Sequence, residues 1–233
     1  MEAKVVELEE RRAARLRDAQ IKAERLFCET VARGLIRSGV SERDLNDSIY
    51  ALAEELFGIS KYWHKRIVRT GINTLEPYKR NPPNLTIAAQ DILFLDFGPV
   101  FDHWEADFGR TFVIGSDPLR NKMRNDVEAA FALGKRFFNE SPKITARELF
   151  EHARMLAERY GWEFGGPIAG HLIGHFPHER IAGDKISLYI HPENDLLMRS
   201  LDAKGQKRHW ILEIHFVDRR RGIGGFYEEL LTV

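Results

Sequence analysis

Four carboxylates interrupt the stretches of this chain that read most clearly as buried strands. Asp96 closes the apolar run "DILFLDFG" (91–98), and Asp107 follows eleven residues later, just before "GRTFVIG" (109–115). Glu213 breaks "HWILEIHFVD" (209–218), and Glu228 breaks "GGFYEELLTV" (224–233). An ionised carboxylate buried alone costs several kcal/mol, so each must be protonated, paired, bound to a metal or turned to a wet strand face. The wet face suffices for any one of them, and it is the better account of Glu229 beside Glu228. It weakens as the number rises to four. If the four converge, two divalent cations would neutralise them, and one imidazole would complete a nitrogen-and-oxygen set suited to Mn, Fe, Co or Zn.

The imidazole has a source in "GHLIGHFPHE" (170–179), where His171, His175 and His178 sit among glycines and a proline that disfavour a helix. His171 and His175 have the i, i+4 spacing of a helical zinc site, but Leu172 stands where that motif needs its glutamate. Taken singly, each histidine is as well explained as a satisfied loop residue. The four acids supply the partner that favours a ligand.

Composition leaves room for such a site and little else. The chain has 233 residues, 43% of them hydrophobic, enough for a sizeable core. Lys+Arg and Asp+Glu both number 35, so no overall field draws in nucleic acid or an anionic membrane, and "DRRRG" (218–222) reads as a solvated turn. The single cysteine, Cys28, rules out an intrachain disulfide. The charged N-terminus lacks an apolar signal core, and no apolar run would span a bilayer, so the cytoplasm is the expected location.

Helix and strand signals alternate. Residues 2–27 read as a long charged helix with Val5, Leu8, Leu16, Ile21 and Leu26 toward one face, an arm expected to pack on its own domain or on a second subunit as a homodimer. Ser41 with Asp44 starts a helix over 42–57, Asp117-Pro118 starts another to about Phe138, and the capping box "TARE" (145–148) opens a third to Tyr160. "RIVRTG" (66–71) adds a strand to the four acid-bearing ones. With no internal repeat and no linker, the expectation is one α+β domain: an arm over 1–29 and a catalytic domain over 30–233.

The order of these pieces resembles the pita-bread metallohydrolases, which include methionine aminopeptidase, Xaa-Pro aminopeptidase, prolidase and the metal-free creatinase. The resemblance rests on "LDFG" (95–98), "DFGRTF" (107–112), "GHLIGHFPHE" (170–179), "ILEIHF" (211–216) and "GGFYEELLTV" (224–233). It implies the pita-bread fold and a two-metal centre. Asp96 would be bidentate to one metal, Asp107 and Glu228 would bridge, and His171 and Glu213 would bind the second. His178 would touch the substrate carbonyl, and Glu213 would carry the proton from a metal-bridging hydroxide to the leaving nitrogen.

Three departures bear on the substrate. Family peptidases carry a further histidine about 18 residues before the first aspartate, where this chain has Pro77 and Tyr78. His64 is the nearest upstream, ahead of a predicted strand, and would need an altered loop to arrive. Arg180 replaces the proline after "HE", and only the arm stands where prolidases carry an N-terminal domain. Leu172 after His171 is closer to the Xaa-Pro branch. The reading is a stand-alone Xaa-Pro-type hydrolase acting on a small peptide or amide, with Tyr78 or His64 beside the substrate. Its alternatives are a metal enzyme for a non-peptide metabolite and a non-catalytic binding module.

Overall fold

The computed structural model describes residues 2–177 and 185–233, with side chains from Val6 onward. The helix starts follow the local chemistry of the sequence. Ser41 accepts from the Asp44 amide at the head of α2 (Glu42–Phe57), and Asp117 accepts from the Arg120 amide at the head of α3 (Pro118–Glu140). The Thr145–Glu148 capping box opens α4 (Ala146–Tyr160), and Gly58 and Gly161 end α2 and α4 in the left-handed conformation that glycine adopts without strain.

The first helix, α1 (Glu2–Ala32), is longer than expected and buries a different face. Leu16, Ala19, Ala23, Leu26 and Phe27 are buried, whereas Leu8 and Ile21 are 53% and 63% exposed; Val5 lies outside the described side chains. Ile21 is five residues from Leu16, about 140° around the helix, while the steps 16–19–23–26 stay on one stripe that small alanines carry. This stripe packs on the domain itself. Polar bonds tie it down, with Glu9 against His209 at 2.8 Å and Gln20 accepting from the Leu230 amide at 2.6 Å.

Nine strands are found among the described residues: β1 (Ile67–Thr70), β2 (Asp91–Phe97), β3 (Val100–Phe101), β4 (Trp104–Glu105), β5 (Phe108–Ile114), β6 (Glu163–Phe164), β7 (Leu172–Ile173), β8 (His209–Asp218) and β9 (Ile223–Leu230). The main sheet is antiparallel in the order β1-β2-β5-β9-β8-β6, with β7 beside β8. The β3–β4 hairpin turns through Asp102 and His103, both at positive φ (49° and 69°). Such two-residue strands are too short for a period-two pattern to reveal.

Alternation along the strands sorts the sheet into two faces. Leu93, Leu95 and Phe97 of β2 pack with α1 and α2, and Leu212, Ile214 and Phe216 of β8 pack with α3 and α4. The helices therefore share one face. The intervening positions, including Phe94, Asp96, Glu213, His215, Phe226 and Glu228, point to the other.

Candidate metal centre

Strand pairing brings the acids together. Asp96 on β2 is opposite Gly109 on β5, Gly109 is opposite Glu228 on β9, and Glu228 is opposite Glu213 on β8. Directly paired residues project to the same side, so the row across four strands aims three carboxylates at one place. Gly109 leaves the middle of the row open; a Cβ there would lie 2.5 Å from the Phe226 ring. Asp107, two residues before Gly109, shares its face. His171 arrives from the segment preceding β7, its Nε2 3.0 Å from Asp107 Oδ2 and 3.7 Å from Glu228 Oε1.

His64, which the sequence expected to need an altered loop, also reaches the site. Residues 61–63 pair with 98–100: the Trp63 amide donates to the Gly98 carbonyl and the Val100 amide to the Lys61 carbonyl, at 2.9 and 3.0 Å. The bridge sets His64 beside the end of β2, with Nε2 3.0 Å from Asp107 Oδ1 and 3.5 Å from Asp96 Oδ1. Trp63 and Gly98 were missed in the sequence. Trp63 packs its ring edge-on to both His64 and His171, at 4.5 and 5.0 Å between centroids, and donates from Nε1 to the Ala106 carbonyl. A Cβ on Gly98 would sit 2.2 Å from His64 Cδ2, so only glycine admits the two rings. The signal for both was the pair "WHK" ahead of a strand and the glycine of "LDFG".

The remaining candidates lie at the margin or elsewhere. Tyr78 is 47% exposed, its ring 5.7 Å from that of His64 and its hydroxyl accepting from the Lys65 amide at 3.4 Å. His175 is exposed and stacks on His103, away from the acids. Glu229 forms an ion pair with Arg110. His178 lies outside the described residues.

Two buried carboxylates elsewhere in the fold are fully satisfied. Glu42 accepts from the Thr70 and Leu85 amides and from Asn73 Nδ2, and Asp91 accepts from the Ala88 and Ile92 amides and Thr70 Oγ1. By contrast, Asp96 Oδ1 and Glu228 Oε2 are buried without a hydrogen-bond partner. Burial and repulsion from Asp107 and Glu213 push the Asp96 carboxyl up to about 7, against the pull of His64. Burial likewise raises Glu213 to about 7, opposed by His171 and reinforced by Asp107. Burial, with Asp107 and Asp96 adding repulsion, raises Glu228 well above the usual range. Asp107 goes the other way: burial raises it, but His64 and His171 outweigh burial and hold it at about 2.

Four acids face two imidazoles here, so the site is short of positive charge, and its spacing suits a cation. Two clusters, His64–Asp96–Asp107 and Asp107–His171–Glu228, each bring their ligand atoms within 4.8 Å of one another. Atoms bound to one metal at about 2.1 Å stand about 3.0 Å apart in an octahedron and about 3.4 Å in a tetrahedron, close to the separations from 3.0 to 3.7 Å seen here. Glu213 falls outside both clusters but hydrogen-bonds to Glu228.

His64, Asp96, Asp107 and His171, though not Glu213 and Glu228, lie within a stretch matched to a known family. The profile of Metallopeptidase family M24 matches residues 14–200. An Xaa-Pro dipeptidase of Lactobacillus helveticus is 30% identical over 160 residues, which is 67% of this chain and 42% of the relative. An Xaa-Pro dipeptidase of Pyrococcus horikoshii is 28% identical over 145 residues, 62% of this chain and 40% of the relative. The chain thus spans about two fifths of the length of either dipeptidase. The X-Pro aminopeptidase of Thermotoga maritima has the same fold, with a TM-score of 0.75 over 100% of this chain and 65% of that one at 20% identity. With the profile covering most of its length, this chain belongs to metallopeptidase family M24, in its pita-bread, Xaa-Pro branch.

Proposed function

We propose that the chain is the catalytic domain of a two-metal hydrolase of the Xaa-Pro peptidase type, cleaving a peptide or small amide. Its ligands are Asp96, Asp107, His171, Glu213 and Glu228, and its cations are drawn from Mn, Co, Fe and Zn. The observation that carries this reading is the pair of buried, unpartnered oxygens on Asp96 and Glu228, on either side of Asp107. The names of the two dipeptidase relatives favour a peptide bond next to proline.

Bound there, two divalent cations would lower the pKa of a shared water and polarise the carbonyl under attack. Glu213, at the edge of the clusters, accepts the proton of the attacking water and returns it to the leaving nitrogen. His178 donates a hydrogen bond to the developing oxyanion. Tyr78 can donate to the substrate but is a poor proton shuttle near neutral pH, since burial raises its hydroxyl above the ordinary value near 10. A leaving group that needs little protonation is therefore favoured. That tyrosine, where the resemblance expects a histidine, also favours a second reading, a non-peptide amide metabolite as substrate.

Purified protein with defined metal content, assayed on Xaa-Pro dipeptides, Met-peptides and small amides, tests the proposal. Xaa-Pro turnover that chelation abolishes and metal restores is the expected result. Turnover of small amides alone would favour the second reading. A folded protein that takes up no metal would instead fit a binding module. No helix among the described residues is long and apolar enough to cross a membrane.

A further inference from the structure

We propose that His64 is a metal ligand, so that each of the two cations is held by an imidazole of its own: His64 with Asp96 and Asp107, His171 with Asp107 and Glu228. This rests on the two-metal reading above and enlarges its ligand set. It also replaces the substrate contact expected for His64 from the sequence.

The two histidines are arranged alike about Asp107. Each Nε2 lies 3.0 Å from a different oxygen of that carboxylate. Each Nδ1 lies against the carbonyl of the next residue, Lys65 at 2.7 Å and Leu172 at 2.8 Å. A metal-bound histidine is held in this way, with its other ring nitrogen donating to a fixed acceptor. Once Nδ1–H is committed to a carbonyl, Nε2 of the neutral ring presents a lone pair, and that lone pair faces carboxylate oxygens. Such a meeting needs positive charge between the groups, either a proton or a cation. Asp96 Oδ1, one of the orphaned oxygens, is 3.5 Å from the same nitrogen.

The surroundings of His64 fix this aim. Its side chain is 6% exposed, wedged between Trp63 and Gly98, and the bridge between residues 61–63 and 98–100 anchors the backbone on which it rides. Turning Nε2 outward to a substrate would give up its contacts with Asp107 and Asp96. Chemically, a second nitrogen changes the Asp96-side metal from an all-oxygen set to a mixed one. Mixed sets favour Co, Fe and Zn, whereas all-oxygen sets suit Mn and Mg.

X-ray absorption on zinc-loaded wild type, with His64→Asn alongside, tests the inference by a readout other than activity. The expected result is an average of one imidazole per zinc in the wild type, falling by half in His64→Asn. Competition titration should show one zinc site weakened on the order of 100-fold or more in the variant, at or beyond the upper end of the 10–100-fold that losing an outer-shell partner costs. Preference for zinc over manganese should narrow as well. The wild-type count does not depend on how the variant folds. An imidazole count that His64→Asn leaves unchanged, with both zincs at wild-type affinity, overturns this inference and leaves the two-metal reading standing. Wild type that is folded and metal-free under saturating zinc overturns both.

Discussion

Glu213 and Glu228 stand directly opposite each other on β8 and β9, with their carboxyl groups hydrogen-bonded in a buried setting. Without metal, a proton must hold them together. The raised values of Glu213 and Asp96, both about 7, mean that this stability is complete at acidic pH and is lost as pH rises through about 7. The chelated protein should melt lower at pH 8.5 than at pH 6.5, by an amount equivalent to about 1 kcal/mol for each group, because most of the loss between the ordinary carboxyl range and about 7 is complete by pH 6.5. Saturating zinc or cobalt should remove most of that difference. Thermal melts at the two pH values, with and without metal, measure it.

Asp107 is common to both clusters, so its loss should empty both. Asp107→Ala should lose most of two equivalents of Mn or Co, as read by metal analysis after gel filtration. Asp96→Ala should lose chiefly one. A chain with equal losses in the two variants would have clusters that do not bind separately.

His215 sets the opposite, acid limit. Burial pushes its imidazole down to about 4, against the hydrogen bond it donates from Nε2 to the Thr74 carbonyl. A proton then binds more tightly to the unfolded chain, where the ordinary value is 6.5. Stability is full above that value and is lost as pH falls toward 4, by about 3 kcal/mol. His215→Gln, which can keep the donor, should be less stable at pH 7 and should show a shallower loss between pH 6.5 and 4 in urea titrations.

Gly98→Ala tests the wedge around His64. The added methyl would meet His64 and Trp63 at 2.2 to 2.4 Å, and overpacking of this kind costs about 1–3 kcal/mol. Melting should show that loss. Metal titration should show weakening on the Asp96 side first, because the displaced ring is the one facing Asp96.

The parts legible in the sequence are those decided locally. Ser41, Asp117 and the Thr145–Glu148 box mark helix starts because caps act within a few residues, and these starts are found where they are expected. The four acids stood out because a carboxylate in an apolar strand contradicts its surroundings. His64 did not, since its approach depends on backbone pairing between residues 61–63 and 98–100, a contact that no periodicity encodes. The buried stripe of α1 was misread for a related reason: Ala19 and Ala23 carry it, and alanine weighs little in a hydrophobic pattern.

The row Asp96–Gly109–Glu228–Glu213 also governs which lengths of strand the protein can tolerate. Its carboxylates are indexed by the hydrogen-bond ladder, not by loops that could stretch to compensate. Inserting or deleting a single residue within β2, β8 or β9 would turn every later side chain of that strand over, sending a carboxylate into the helix-packed face and an aliphatic side chain into the acid cluster. Changes in chain length should therefore be confined to the connections between strands. The segment joining β8 to β9, Arg219 to Gly222, is the exception among them, because a short hairpin loop itself sets the register that aligns Glu213 with Glu228.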